Sequence, residues 1–232
     1  MKKSLLIVAL ILIIDQVFKF WVKTNMALGQ EFSVFDNWFI IHFTENPGMA
    51  FGFQFSGTYG KLILSLFRLV AISVLIVYMY NITRKKVSKL VLISLSLILA
   101  GAIGNMIDSA FYGLIFSSSN YFEVAQFLPA DGGYGTFLHG KVVDMLYFPV
   151  ASGTYPTWIP ILGGQDFQFF RPVFNIADSS ITSGVLLMVL FQKQFFGKKH
   201  VHSEDQSEVS DSNKESNQPD NSSESTFKQS TY

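Results

Sequence analysis

The stretch from Phe174 to Gln192, FNIADSSITSGVLLMVLFQ, opens with polar side chains and is then almost wholly apolar. At about 1.5 Å per residue, a helix of this length approaches the roughly 30 Å of a bilayer's hydrocarbon core. An ionisable residue at the edge of such a helix is a candidate functional residue, because its charge is costly to bury near lipid. The stretch therefore predicts a transmembrane helix with Asp178 at its polar mouth.

The composition of the whole chain agrees with a membrane location. Of 232 residues, 49% are hydrophobic and only 15% are charged, with a net charge of zero and no cysteine. Disulfides, thiol nucleophiles and cysteine metal sites are therefore excluded. With the opening stretch, three more apolar runs predict an all-α bundle of four transmembrane helices, at about residues 4–22, 62–80, 90–107 and 174–192. The first run lacks the small-residue cleavage site of a secretory signal.

The distribution of cations predicts the orientation of this bundle. Lysine and arginine concentrate on one side of the predicted spans, at Lys2, Lys3, Arg84, Lys85, Lys86, Lys89, Lys193, Lys198 and Lys199. By the positive-inside rule that side, with loop 81–89 and both termini, is cytoplasmic. Loops 23–61 and 109–172 then lie outside the cytoplasm, where Asp178 also falls.

The two outer loops differ in pattern. Loop 23–61 has the alternation of short strands, with Asn-Pro-Gly as a turn, and predicts a small β-sheet lying on the membrane. Loop 109–172 is long and rich in Phe, Tyr and Gly, and its amphipathic rings suit the membrane interface. The tail, 198–232, is mostly Ser, Asn, Asp and Glu and is predicted to be disordered and cytoplasmic. Residues 1–197 then form a single membrane domain.

Four acids lie in or beside the apolar spans and need a physical reason: Asp15, Asp108, Asp144 and Asp178. Lys19 follows Asp15 at i+4, so a same-face ion pair accounts for both, and a structural role is favoured over catalysis. Asp108 shares a helix face with Asn105, and a hydrogen-bonded architectural pair is favoured there as well.

The segment around Asn105 also carries a packing signal. Its small residues, such as Gly101 and Gly104, allow another helix to approach closely. Deep in the second span, Arg68 requires a counter-ion or carbonyl partners, which the sequence does not identify.

Asp144 and Asp178 are candidates for a shared catalytic site. Asp144 lies in KVVDMLYF, a short apolar segment just outside the membrane, and the two acids could meet at one interface. Two adjacent carboxylates cannot both ionise easily, so they share a proton, as an aspartic hydrolase requires. The alternative, that both are helix caps or solvated loop acids, is about equally favoured by spacing alone. The histidines show no metal-ligand spacing, and there is no basic nucleic-acid-binding face.

Five blocks together resemble lipoprotein signal peptidase, the bacterial type II signal peptidase. They are DQVFK at 15–19, ENPGMAF at 45–51, GAIGNMID at 101–108, KVVDML at 141–146 and FNIADSSI at 174–181. Each block is short, but their order on four spans is specific, and the resemblance covers most of residues 10–190.

The resemblance implies an aspartyl endopeptidase of the bacterial cytoplasmic (inner) membrane that needs no metal or other cofactor. Its substrates would be prolipoproteins, cut just before a diacylglyceryl-modified cysteine at the extracytoplasmic face, and its other partners membrane lipids, with no required protein partner. By motif, Asp144 and Asp178 are the catalytic pair. The pocket-shaping or supporting residues are Asp15, Lys19, Asn46, Gly48, Asn105, Asp108 and Asn175. The first outer loop corresponds to a substrate cradle and the second to a flap.

Several positions depart from the family pattern. Ser109 stands where the family usually has arginine, so any contact of that arginine is missing or supplied from elsewhere, with Arg68 as a candidate. Met49 replaces a usual alanine and is expected to narrow the pocket. The segments 114–137 and 149–170 are longer than usual.

Two other classes remain as alternatives. A four-helix transporter or assembly factor would line an ion path with its intramembrane charges. The acids here cluster instead toward the outer ends of the spans, apart from Asp15, which favours a surface-opening active site. A prepilin peptidase is not supported, because its acid-bearing motifs are not found in the sequence.

Overall fold

A computed structural model describes residues 2–36, 38–47, 58–85, 87–149, 151–169 and 172–193. Its helices are α1 (Lys2–Asn25), α2 (Thr58–Thr83), α3 (Lys89–Ile107), the short α4 (Gly113–Ile115) and α5 (Ile176–Leu190). Its strands are β1 (Glu31–Phe35), β2 (Phe39–Asn46), β3 (Val142–Tyr147), β4 (Ala151–Thr154) and β5 (Asp166–Phe169). The tail predicted to be disordered lies outside the described residues.

Three helices in the described part of the chain are long and apolar enough to cross a bilayer. They cover Lys2–Asn25, Gly60–Thr83 and Lys89–Ile115. The opening stretch forms α5, which has 15 residues and is apolar but shorter. It begins two residues later than predicted, because Asn175 is its N-cap and Phe174 pairs with Leu146 of β3. The count of four spans therefore stays a prediction.

The third span does not end at residue 107 as predicted. The helix continues through a π-helical turn, Asp108–Tyr112, into α4. Such turns are rare and frequently lie at functional sites, because the extra residue changes the direction in which side chains point. Asp108 and Ser109 both lie in this turn, so its geometry governs where the third span meets the site.

The first outer loop forms the predicted strands, and a third strand joins them. β1 and β2 pair antiparallel, and β3 pairs antiparallel with the other edge of β2, giving the order β1-β2-β3. In this register Thr44 lies opposite Asp144. The segment KVVDMLYF is therefore part of the sheet, which the sequence did not predict. β4 and β5 form a separate two-stranded hairpin within the second loop.

Small residues bring α3 into close contact with its neighbours, as predicted. A Cβ atom on Gly101 would clash with the carbonyl oxygen of Ala177 in α5. A Cβ atom on Gly104 would lie 2.8 Å from Oδ2 of Asp15 in α1. Because glycine leaves room at both positions, α3 packs closely against the helices that carry Asp15 and Asp178.

Candidate active site

A buried lysine forms the centre of an ionic network between α1 and α3. Lys19 Nζ lies 2.9 Å from Asp15 Oδ2 and 2.8 Å from Asp108 Oδ2, and all three side chains are fully buried. It also donates a 2.9 Å hydrogen bond to Asn105 Oδ1. The predicted ion pair of Asp15 and Lys19 is confirmed, and Asp108 is a second counter-ion. Two carboxylates on one ammonium satisfy charges that would otherwise be costly to bury.

The two acids of this network also hold backbone amides beside the candidate catalytic residues. Asp15 Oδ1 accepts a 2.9 Å hydrogen bond from the N–H of Ala177, the residue before Asp178. Asp108 Oδ2 accepts a 3.2 Å hydrogen bond from the N–H of Val143, the residue before Asp144. The ionic network therefore fixes the main chain on both sides of the site.

Asn175 contacts both candidate catalytic acids. Its Nδ2 donates a 2.7 Å hydrogen bond to Asp144 Oδ1. Its Oδ1 accepts a 2.8 Å hydrogen bond from the N–H of Asp178, and its own N–H donates at 3.4 Å to Asp178 Oδ2. The last two bonds form a capping box at the start of α5. Asp178 thus takes part in capping the helix, as one interpretation of the sequence predicted. The same bonds hold it beside Asn175, which also bonds Asp144.

Asn105 connects the ionic network to the acid pair. Its Nδ2 donates a 2.7 Å hydrogen bond to Asp178 Oδ1, and its Oδ1 accepts from Asn175 Nδ2 at 3.1 Å as well as from Lys19. The sequence interpretation assigned Asn105 to an architectural pair with Asp108. Both residues instead bind Lys19, and the amide of Asn105 extends to Asp178.

The two acids have different surroundings. Asp144 is 4% exposed, whereas Asp178 is partly buried at the first turn of α5. Burial, reinforced by the negative charge of Asp178, raises the pKa of Asp144 to about 7, although the hydrogen bond from Asn175 opposes the rise. An acid titrating near neutrality beside a second carboxylate is suited to proton transfer.

The sequence interpretation missed Gln16 and Tyr112. Gln16 Nε2 donates to Asp108 Oδ1 at 2.9 Å and to Asp15 Oδ2 at 3.2 Å, and Tyr112 donates to Gln16 Oε1 at 3.3 Å. A glutamine next to Asp15 in an apolar helix was the available signal. Together these contacts supply the network with neutral donors.

Asn46 and Gly48 are the other two predicted supporting residues. Asn46 is the last residue of β2 and pairs with Val142, two positions before Asp144. Gly48 and Met49 lie outside the described residues.

A second buried ionic cluster connects the outer end of α1 to both outer loops. Lys23 forms an ion pair with Glu45, and Lys141 Nζ lies 2.8 Å from Glu45 Oε2. Ser119, from the longer-than-usual segment 114–137, bonds both Glu45 Oε1 and Lys23 Nζ at 2.8 Å. Burial alone would raise the pKa of Glu45, but the two lysines hold it below its usual value. The cluster thus attaches part of the long segment to the sheet that carries Asp144.

Neither cluster is arranged as a metal site. In the described ranges, no group of three or more His, Asp or Glu side chains could hold a metal ion. Metal-independent chemistry stays a prediction.

The sequence of the chain matches a known protein family over most of its length. The sequence model of the family described as Signal peptidase (SPase) II matches residues 7–193. The chain belongs to the signal peptidase II family. The lipoprotein signal peptidase of Porphyromonas gingivalis is 52% identical over 185 residues, covering 79% of this chain and 80% of that protein. The lipoprotein signal peptidase of Amoebophilus asiaticus is 41% identical over 209 residues, covering 89% of this chain and 84% of that protein.

The fold is also similar to solved structures. One solved bacterial membrane enzyme has a TM-score of 0.55 and 26% identity, covering 86% of this chain and 93% of that one. A second has a TM-score of 0.52, again with 26% identity. Membership of the signal peptidase II family supports a peptidase, and these comparisons give no support to a transporter or assembly factor. All five blocks that carry the sequence resemblance lie within residues 7–193, which the family model matches.

Proposed function

We propose that this chain is an aspartic endopeptidase that removes signal peptides from prolipoproteins, cutting before a diacylglyceryl-modified cysteine. Asp144 and Asp178 are its catalytic acids. The observation that carries the proposal is the position of Asn175, which bonds both carboxyl groups at a buried site joined to an ionic network. The names of the two relatives supply the substrate class.

The different surroundings of the acids support an assignment of their roles. Asp178 accepts hydrogen bonds from two N–H groups and lies at the N-terminus of a helix, where the dipole favours a carboxylate. Asp144 is more deeply buried, and its raised pKa of about 7 lets it hold a proton near neutral pH. Asp178 is therefore the base and Asp144 the acid.

In this mechanism the acids act on one water molecule. The Asp178 carboxylate takes a proton from the water molecule while the water oxygen attacks the scissile carbonyl carbon. Asp144 gives its proton to the leaving amine as the C–N bond breaks. The reaction needs no metal ion or other cofactor. Asp15, Lys19, Asn105, Asp108 and Asn175 position the two acids, while Asn46 and Gly48 shape the pocket.

The proposal includes a topology. Residues 1–197 form one domain with four spans in the bacterial cytoplasmic membrane, and both termini, with the tail 198–232, are cytoplasmic. The acid pair then faces the extracytoplasmic side. This arrangement suits the substrate, because a diacylglyceryl group keeps its acyl chains in the bilayer and confines cleavage to the membrane surface. The peptide near the cleavage site would lie extended along the β1-β2-β3 sheet.

Substitution of each acid tests the proposal. Asp144→Asn and Asp178→Asn are isosteric, and each should lower kcat for a lipidated prolipoprotein by about 1,000-fold or more, with the double variant little worse than either. The matched control is Asp131→Asn, at an exposed loop position. Processing by both single variants at near the parent rate would refute the acid pair. A peptide with an unmodified cysteine that is cleaved equally fast would instead contradict the lipid-dependent substrate class.

A further inference from the structure

Arg68 points toward the protein from a helix that largely faces lipid. Its neighbours Phe67 and Leu69 are 69% and 46% exposed. Two positions on the same face as Arg68 also point inward: Ser65 and Ile72 are buried, and Ser65 donates a hydrogen bond to the carbonyl of Leu138. The Arg68 guanidinium therefore lies at the interface of α2 with the rest of the protein.

The contact of Arg68 is with the residue that departs from the family pattern. Arg68 Nη1 donates a 3.3 Å hydrogen bond to Ser109 Oγ. Ser109 is 3% exposed and donates in turn to the carbonyl of Asn105 at 3.0 Å. Asn105 donates to Asp178 Oδ1. Hydrogen bonds thus extend from the guanidinium, through two residues of the third span, to a candidate catalytic acid.

The charges around the site require a second cation. When the acid pair shares one proton, three carboxylates face the single ammonium of Lys19: those of Asp15, Asp108 and the ionised member of the pair. Arg68 provides one further positive charge. Burial makes this charge costly, and the negative charges of Asp178, Asp108 and Asp144 offset part of that cost. In the described chain Arg68 has no carboxylate within ion-pair distance, so it acts through the low-dielectric interior rather than by contact.

We propose that Arg68 is a positioning residue that stabilises the negative charge of the acid pair from α2, through its contact with Ser109 and the bonds that link Ser109 to Asn105 and Asn105 to Asp178. The inference rests on the proposed function, because it concerns the same acid pair. It adds a residue from α2, which no sequence block includes. The groups that face the pair are then Arg68 from α2, Lys19 and Asp15 from α1, and Asp108 from the end of α3.

The test is the pH dependence of kcat/KM, measured on the full chain in lipid nanodiscs with a synthetic diacylglyceryl prolipoprotein. Loss of a positive charge makes both carboxyl groups harder to ionise. In the Arg68→Met variant both limbs of the profile should therefore move upward by about one pH unit, and kcat/KM should fall by up to about tenfold on the acid limb. Arg84→Met, at an exposed position one residue beyond the same helix, should move neither limb.

A relocated charge separates this role from a packing role. The double variant Arg68→Met with Ser109→Arg returns a guanidinium from the neighbouring helix, and it should bring both limbs back to within about half a pH unit of the parent. A uniform loss of rate with unmoved limbs in Arg68→Met overturns the inference. If Arg68→Met does not fold, the double variant decides: parent-like limbs support the inference, and displaced limbs or a failure to fold overturn it. Neither result affects the acid pair, which the Asp144 and Asp178 variants test separately.

Discussion

The Nδ2 atom of Asn175 lies 2.7 Å from Oδ1 of Asp144, and the remaining polar groups of Asn175 cap the helix that begins with Asp178. A single side chain thus links β3 to α5. Because Asn175 is fully buried, no water competes for these bonds. The distance between the elements that carry the two acids depends on this residue.

Substitution of Asn175 should separate helix capping from catalysis. Asn175→Ser keeps an oxygen that can accept from the Asp178 N–H, whereas Asn175→Ala does not, so only the alanine variant should lose the full capping contribution of about 1 kcal/mol. Both variants lose the donor to Asp144, and both should lower kcat by about 100-fold. Thermal unfolding and prolipoprotein cleavage provide the two measurements. Parent-like cleavage by either variant would show that the contact with Asp144 is dispensable.

Removal of the buried ammonium should destabilise the protein strongly. Lys19→Met leaves Asp15 and Asp108 without their cation, and breaking a buried pair in this way costs about 3–5 kcal/mol. The expected result is a large drop in the thermal unfolding midpoint in detergent. Lys3→Met is the control on the same helix, at an exposed position, and should leave the midpoint almost unchanged. Equal midpoints for the two variants would contradict a stabilising role for the network.

The raised pKa of Asp144 predicts how stability depends on pH. An acid that titrates near pH 7 when folded and near pH 4 when unfolded binds its proton more tightly in the folded state. The contribution of Asp144 to stability is therefore greatest below about pH 4 and is lost as pH rises to about 7. Asp144→Asn avoids this loss, so it should unfold at a higher temperature than the parent near pH 8, and the difference should shrink toward pH 4.

Asp131→Asn is the control for this titration. Asp131 lies at an exposed loop position, and its substitution should give a difference in midpoint that does not change with pH. If the Asp144→Asn difference were also constant with pH, the folded and unfolded pKa values of Asp144 would have to be similar.

Neutralising Glu45 should release the long outer segment. Glu45→Gln keeps the shape but leaves Lys23 buried beside a second lysine, at a cost of about 3 kcal/mol. Because Ser119 bonds both Glu45 and Lys23, protease should cut residues 116–141 faster than in the parent. The control is Glu31→Gln, because Glu31 is an exposed carboxylate paired with the half-buried His42, and the expected cost is at most about 1 kcal/mol. Equal cleavage rates for the two variants would argue against the attachment.

Local patterns in the sequence predicted the helices and the contacts within them. The apolar runs marked the three long helices, the i+4 spacing identified the pair of Asp15 and Lys19, and the small residues marked the packing of α3. These signals act within a few turns, so periodicity is sufficient to detect them.

The contacts that assemble the site are distant in sequence and were not predictable in the same way. β3 is almost entirely buried, so it lacks the alternation that marks a half-exposed strand, and its pairing with β2 had no local signal. The bond of Asn105 to Asp178 joins residues 73 apart. The family resemblance, rather than residue spacing, was what singled out Asn175 as a supporting residue.

The hydrogen bond from the Ala177 N–H to Asp15 joins residues 162 positions apart. Together with the bond of Asp108 to Val143, it makes the arrangement of the acid pair depend on the first helix, the third, the sheet and the last helix at once. A chain still being inserted into the membrane, with α5 not yet made, has one of the two acids and only half of its scaffold. The proposed acid pair can therefore assemble only after synthesis has passed residue 178.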